Sequence, residues 1–162
     1  AEMYSAYLYL SMAAYFDNED LPGFSNWMRC QYMEETLHAM IFFNFLSERS
    51  GRAELQPMEG PEIEWGSYVE VFETVIKHEE YITERINKLV TLSRKLEDYA
   101  TESLLMWYVD EQVEEEDTAN GILADIKRLK NDSNGLLRLD REMASRTLAA
   151  AAVPTILDQP VA

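Results

Sequence analysis

A helical core stripe that is interrupted by polar residues constrains this chain more than any other pattern. In residues 32–40, Glu35 and His38 stand three positions apart, so they lie on one face of a helix and can reach the same ion. Steps of four and three from Phe24 to Phe45 pass through both of them and otherwise meet mainly apolar residues. A carboxylate in a core costs several kcal/mol unless it is paired or bound to metal. The stripe therefore predicts a buried polar site.

Composition and periodicity predict an all-α fold. Leu, Ala, Glu and Met are abundant, whereas the chain has only 6 Gly and 5 Pro, which favours long helices. We expect four long helices and a short fifth, at about residues 1–17, 22–50, 67–95, 99–130 and 136–148. The first of these is expected to extend before Ala1. Asp20 and Ser67 are expected as helix caps, and Gly51 as a helix stop.

The connection from Arg52 to Gly66 predicts the topology. It contains Pro57, Gly60 and Pro61, and its 15 or so residues can stretch roughly 50 Å. The helix before it, with about 29 residues, is roughly 44 Å long. The connection can thus return the chain to the other end, as in four-helix bundles with one long crossover. We expect one domain over residues 1–148 and a C-terminal extension over 149–162.

The interrupting residues recur at a constant interval. Polar residues stand on the stripe of every long helix, and those of the second half follow those of the first by 77 positions: Glu2, Glu35 and His38 recur as Glu79, Gln112 and Glu115, and the adjacent Glu34 recurs as Glu111. One Glu from each of two helices, with a pair spaced by three on each of the other two, is the layout of a dinuclear carboxylate site. A hydrogen-bonded polar network without metal is the alternative.

The ligand types favour iron. Oxygen ligands with a single imidazole suit iron or manganese better than copper, and they are too poor in nitrogen and sulfur for a structural zinc site. We favour iron because two irons bridged by Glu35 can each give one electron to an oxidant. Methionines at helical spacing are typical of core packing, so haem is not expected.

Charge and cysteine content exclude several function classes. The chain has 14 basic and 30 acidic residues, a net charge of −16, which disfavours nucleic acid and anionic membranes and attracts cations. No apolar run is long enough to span a bilayer, and the first residues do not resemble a secretion signal. Cys30 is the only cysteine, so no internal disulfide is possible. We expect a cytoplasmic protein.

Four stretches of the sequence resemble the signature segments of bacterial non-haem ferritins. They are residues 2–9, residues 21–24, residues 34–39 with the Glu-Glu-x-x-His-Ala pattern, and residues 107–116, which read Trp-Tyr-Val-x-Glu-Gln-x-Glu-Glu-Glu. The similarity covers about residues 1 to 143, in order and with matching spacing. It implies a ferritin-like four-helix bundle, a hollow shell of 24 subunits, oxidation of Fe(II) by oxygen or peroxide, and storage of Fe(III) mineral.

The resemblance also implies roles for individual residues. The first iron site would be formed by Glu2, Glu35 and His38, and the second by Glu35, Glu79 and Glu115 with Gln112 beside it. A third iron position would be formed by Glu34, Glu111 and Glu114. Tyr9 would lie beside the diiron centre and Trp107 nearby. His78, Glu116 and Asp117 are expected to be solvated.

Other functions remain as alternatives. A rubrerythrin-like peroxidase or a diiron oxygenase usually has a Glu-x-x-His pair on both halves, and here Glu115 replaces the second histidine. A DNA-protecting mini-ferritin would place its ligands between subunits, lack the fifth helix and often carry a basic arm. A purely structural bundle is the remaining alternative.

Overall fold

The computed structural model describes residues 1–129 and 132–148, and this part of the chain is entirely helical apart from its connections. Five helices follow one another, and no strand occurs among the described residues: α1 Glu2–Asn18, α2 Pro22–Glu48, α3 Tyr68–Lys95, α4 Tyr99–Leu129 and α5 Ser133–Met143. None of them is long and apolar enough to cross a membrane. The all-α prediction is confirmed, and the predicted extension 149–162 lies outside the described residues.

The chain forms two compact units. Ala1–Glu64 and the described residues from Asn134 onward make up the first unit, in which α1 packs on α2. Trp65–Ser133 makes up the second, in which α3 packs on α4. Apolar side chains fill the interior of each, with Phe16, Phe24 and Met28 buried in the first and Phe72, Val75, Leu105 and Ile126 in the second.

The predicted stripes match the buried faces over most of their length. Every stripe residue of α1, from Glu2 to Phe16, is buried, as is the α2 stripe from Phe24 to His38. The stripes of α3 and α4 were wrong near their ends, where Val90 is buried instead of Leu89 and Leu123 is more deeply buried than Ile122. Alternating steps of three and four average 3.5 residues, less than the 3.6 of a helical turn, so the stripe drifts along a long helix.

The start of α3 confirms the predicted Ser67 cap and adds Glu70 as a reciprocal partner. Ser67 Oγ accepts a hydrogen bond from the Glu70 backbone N–H at 3.2 Å, and Glu70 Oε2 accepts one from the Gly66 N–H at 2.8 Å. Two backbone donors are satisfied reciprocally, which fixes where α3 begins.

The end of α2 differs in detail from the expected glycine stop. The helix ends at Glu48, and Ser50 rather than Gly51 takes the left-handed conformation, with φ of 60°. The Gly51 N–H donates to the Leu46 carbonyl at 2.8 Å, so the last carbonyls of the helix are satisfied in the manner of a Schellman motif.

The start of α2 is capped from a distance, not by Asp20 as predicted. Asp20 has a left-handed φ of 56° and precedes the cap position, which Leu21 occupies. The Asp140 carboxylate of α5 instead accepts from the N–H groups of Gly23 at 2.8 Å and Phe24 at 3.0 Å. Its negative charge also suits the positive end of the helix dipole. This contact fastens α5 to α2.

Helix α5 begins and ends earlier than residues 136–148. It starts at Ser133 and includes Asn134 and Gly135, which precede the predicted start at residue 136. These residues have low helix propensity, but they occupy the first turn, where polar residues and glycine are tolerated best.

Gly23 permits the contact between α2 and α5, and its substitution should therefore be costly. A Cβ at Gly23 would lie 1.6 Å from the Asp140 carbonyl oxygen, so Gly23→Ala has to displace the backbone of α5. We expect chemical denaturation to show a free energy of unfolding lower by about 2 kcal/mol or more. Gly121→Ala is the matched control, because nothing lies within 4 Å of its Cβ position in α4. It should stabilise the chain by about 0.5–1 kcal/mol, and equal effects of the two substitutions would contradict the proposed packing.

Candidate metal centre

Helix α2 carries the first pair of predicted ligands at a buried position. Glu35 and His38 are 3% and 6% exposed, and His38 Nδ1 lies 3.6 Å from Glu35 Oε2. The spacing of three residues places both side chains on the face that α2 buries. The structure thus brings these two predicted ligands together.

Burial keeps the His38 ring neutral. Loss of water around the imidazole lowers the pKa of His38 from 6.5 to about 4, because burial disfavours the charged form. A neutral imidazole has a free lone pair on one nitrogen, which is the form that binds a metal ion.

Helix α1 contributes two further buried polar side chains. Glu2, in the first turn of α1, is buried. Tyr9 is buried as well, and its ring lies edge-on to that of Trp27, with centroids 6.2 Å apart and planes at 69°. The prediction that Glu2 and Tyr9 lie on the inner face of α1 is confirmed, while their roles toward iron stay predictions.

In the second unit, an amide orients the buried carboxylate. Gln112 Nε2 of α4 donates to Glu79 Oε2 of α3 at 3.2 Å, and Glu79 is only 1% exposed. The hydrogen bond partly offsets the cost of burying the carboxylate. Glu115, one helical turn beyond Gln112, is half-buried.

Two residues that the stripes missed extend this network. Thr83 Oγ1 lies 3.3 Å from Gln112 Nε2 and donates to Glu116 Oε1 at 2.5 Å. The prediction that Glu116 is solvated was therefore wrong, because it is half-buried and hydrogen-bonded. Both residues follow a predicted site residue by four positions, and this spacing was the available signal. A cavity of about 200 Å³ adjoins them, lined by Thr83, Ile86, Asn87, Val109, Gln112, Val113 and Glu116.

The residues predicted for a third iron position have different environments. Glu34 and Glu111 are half-buried and Glu114 is exposed. Glu34 Oε2 forms an ion pair with Arg146 Nη2 at 2.5 Å. Arg146 follows α5, and the helical stripes contained no signal for it.

His78 and Trp107 occupy intermediate environments. His78 is half-buried, not solvated as expected, and its ring lies 6.2 Å from that of Tyr81. Burial lowers the pKa of His78 from 6.5 to about 4. Trp107 is half-buried and packs edge-on against Tyr108 at 4.8 Å.

Each unit thus holds half of the predicted ligand set. The first gathers Glu35 and His38, and the second gathers Glu79 and Gln112. Across residues 1–129 and 132–148, no three His, Cys, Asp or Glu side chains are grouped closely enough to hold an ion. A joint site built from both halves remains a prediction from the sequence.

Comparisons with known proteins point to one family. The ferritin family, described as a ferritin-like domain, matches residues 1–129. A bacterial non-heme ferritin of Staphylococcus aureus (strain USA300) is 36% identical over 90% of this chain and 88% of its own length. One of Bacteroides fragilis (strain 638R) is 38% identical, over 90% and 91%.

Solved structures are similar over the same share of the chain. An open pore ferritin from the hyperthermophilic archaeon Archaeoglobus fulgidus has a TM-score of 0.89 and 50% identity, covering 90% of each chain. A point mutant of the ferritin from the same organism has a TM-score of 0.86 and 49% identity, again covering 90% of each chain. These likenesses confirm the predicted fold class, an all-α four-helix bundle with a short C-terminal helix.

The buried histidine should make the stability of the metal-free chain depend on pH. Because the pKa of His38 is about 4 in the folded chain and its ordinary value is 6.5, the unfolded chain binds more protons between these values. We expect the free energy of unfolding of chelator-treated protein to fall as the pH drops from 6.5 toward 4. The His38→Gln variant should lack this part of the dependence, up to about 1.4 kcal/mol per pH unit. The His78→Gln variant is the control, because it reports the part of the pH dependence that comes from the lowered pKa of His78. If the free energy of unfolding depended on pH equally in wild type and His38→Gln, the lowered pKa of His38 would be contradicted.

Proposed function

Because the chain belongs to the ferritin-like family, we propose that it stores iron and oxidises Fe(II) to Fe(III) at a diiron centre within each subunit. The observation that carries the proposal is the burial of matching polar residues in both helical pairs, Glu35 with His38 and Glu79 with Gln112. Carboxylates at these depths are costly without a cation. Bound iron supplies that cation and one electron per ion.

Different side chains bind the two irons, and one carboxylate is shared. Glu2, Glu35 and His38 bind the first iron, and Glu79 and Glu115 bind the second, with Glu35 as the bridge. The neutral His38 ring adds no charge, so the carboxylates set the charge of the centre. Gln112 Nε2 donates to Glu79 Oε2 and so orients the carboxylate that would bind the second ion. Tyr9 lies on the same inner face of α1 as Glu2 and packs against Trp27. It is proposed as an electron donor.

We also propose that the chain works as a shell of 24 copies in the cytoplasm. Large apolar side chains are exposed along α1 and α2 at helical spacing, as expected for faces that other copies cover: Met3, Tyr7, Leu10, Met33, Met40 and Phe43. Fe(II) and oxygen or hydrogen peroxide are the proposed substrates. The acidic residues of the chain would attract Fe(II) and favour mineral growth in the shell.

The Glu35→Gln variant tests the diiron centre. It keeps the shape of the side chain but removes the bridging charge, so the fast phase of Fe(III) formation should slow by about a hundredfold or more. The rise of near-ultraviolet absorbance after aerobic addition of Fe(II) measures it. Glu48→Gln, an exposed change on the same helix, is the matched control and should react at the wild-type rate. A wild-type fast phase in Glu35→Gln would refute the centre.

Light scattering on the purified protein tests the shell. Twenty-four copies of an 18.8 kDa chain amount to about 450 kDa. After loading with Fe(II) in air, the same particle should hold far more than two irons per chain. A monomer or dimer that retains the fast oxidation phase would separate ferroxidase activity from storage and remove the shell from the proposal.

A further inference from the structure

The segment that follows α5 is fastened along the first half of α2. Asn26 Nδ2 donates to the carbonyl oxygens of Met143 at 3.3 Å and Arg146 at 2.9 Å. Cys30 Sγ, which is buried, donates weakly to the same Arg146 carbonyl at 3.7 Å. The guanidinium carbon of Arg146 lies 4.6 Å above the ring centre of Trp27. These contacts fix both the backbone and the side chain of Arg146.

The fixed guanidinium reaches Glu34. Arg146 Nη2 lies 2.5 Å from Glu34 Oε2, and the two side chains are only 24% and 15% exposed, so water screens the pair weakly. Only one guanidinium nitrogen, Nη2, contacts the carboxylate, although arginine can donate two parallel hydrogen bonds to a carboxylate. Nη1 is buried and has no hydrogen-bond partner in the described part of the chain. The ion pair is therefore close, while the Arg146 guanidinium itself is only partly satisfied, and a cation that binds Glu34 more strongly would displace it.

Glu34 precedes the proposed bridging residue Glu35, and its carboxylate is paired with the Arg146 guanidinium. A guanidinium and a divalent cation compete for the same carboxylate, and each repels the other at short range. We propose that Arg146 is a built-in competitor that holds Glu34 and keeps a cation from binding there until the ion pair opens. The inference rests on the proposed function, because the excluded cation is iron on its way to or from the diiron centre.

Arg146 could have one of two opposite effects on cation binding at Glu34, and an experiment can distinguish them. If Arg146 merely held Glu34 in place for a metal ion, its removal would weaken cation binding. If Arg146 competes with the ion, its removal should strengthen binding. The two roles predict opposite signs for one measurement, and that measurement does not depend on turnover.

Anaerobic calorimetric titration with Fe(II) measures the binding directly. The Arg146→Met variant keeps an apolar stem over Trp27 but removes the charge, and it should bind a third Fe(II) per chain about tenfold more tightly than wild type. Arg146→Gln is a second neutral variant in case Arg146→Met fails to fold. Arg146→Lys keeps the charge and should stay near wild type. Arg49→Met is the matched control, because Arg49 lies over the Phe45 ring at the other end of α2.

The outcomes separate this inference from the function on which it rests. Glu34→Gln combined with Arg146→Met should lose the added tight site, which assigns the gain to Glu34. Two tight core ions with an unchanged or weaker third ion in both neutral variants would overturn the competitor role alone. Absence of the two core ions in every variant and in wild type would overturn the diiron centre, and the competitor role with it.

Discussion

The burial of carboxylates inside helical pairs is the constraint on which the rest of this structure depends. Glu35 and Glu79 are almost fully removed from water, each near the middle of a helix of 27 or 28 residues. Isolated charges at such positions would cost more than a small domain can supply. The helices must be long because apolar layers are needed on both sides of the polar one, as Phe72 and Ile86 provide around Glu79. The length of the helices and the polar residues near their middle thus both follow from one buried site.

Helix α5 packs on α2 through contacts between residues that are far apart in the sequence. Asp140 caps α2 only because Gly23 leaves room for the α5 backbone, and this anchor directs the following residues along α2. Arg146 then reaches Glu34, 112 positions earlier in the sequence. A substitution at Gly23 would therefore act on Glu34 without touching it. The charge around the proposed third iron position thus depends on the start of α2, where Asp140 of α5 binds, because α5 places Arg146 next to Glu34.

Periodicity predicted the features that a single helix determines. The burial of Glu2, Glu35, His38, Glu79 and Gln112 follows from their places on apolar stripes, and the Ser67 cap follows from four neighbouring residues. Besides the drift of the stripes and the details of the helix ends, the missed features involve partners on other elements. Asp20 fits the local cap pattern as well as many true caps, but Asp140 supplies the acceptor from α5. Thr83 with Glu116, and Arg146 with Glu34, are likewise pairs that only tertiary packing brings together.

The charges of the proposed centre suggest why its product would leave. Glu2, Glu35, Glu79 and Glu115 carry four negative charges when ionised, while His38 and Gln112 add none. Two Fe(II) ions balance that charge, whereas two Fe(III) ions exceed it by two, and the reduced form of the oxidant, which has taken up the two electrons, supplies the remaining negative charge. The four carboxylates alone would therefore not neutralise the oxidised pair once that anion is protonated, and other acidic residues of the chain would attract the Fe(III) product. Glu111, Glu114 and Glu116 adjoin Gln112 or Glu115 in the sequence and have no role in the core set, and Glu116 already accepts a hydrogen bond from Thr83. Glu34 would join them only when Arg146 releases it, so the ion pair would control the exit of the product as well as the entry of substrate.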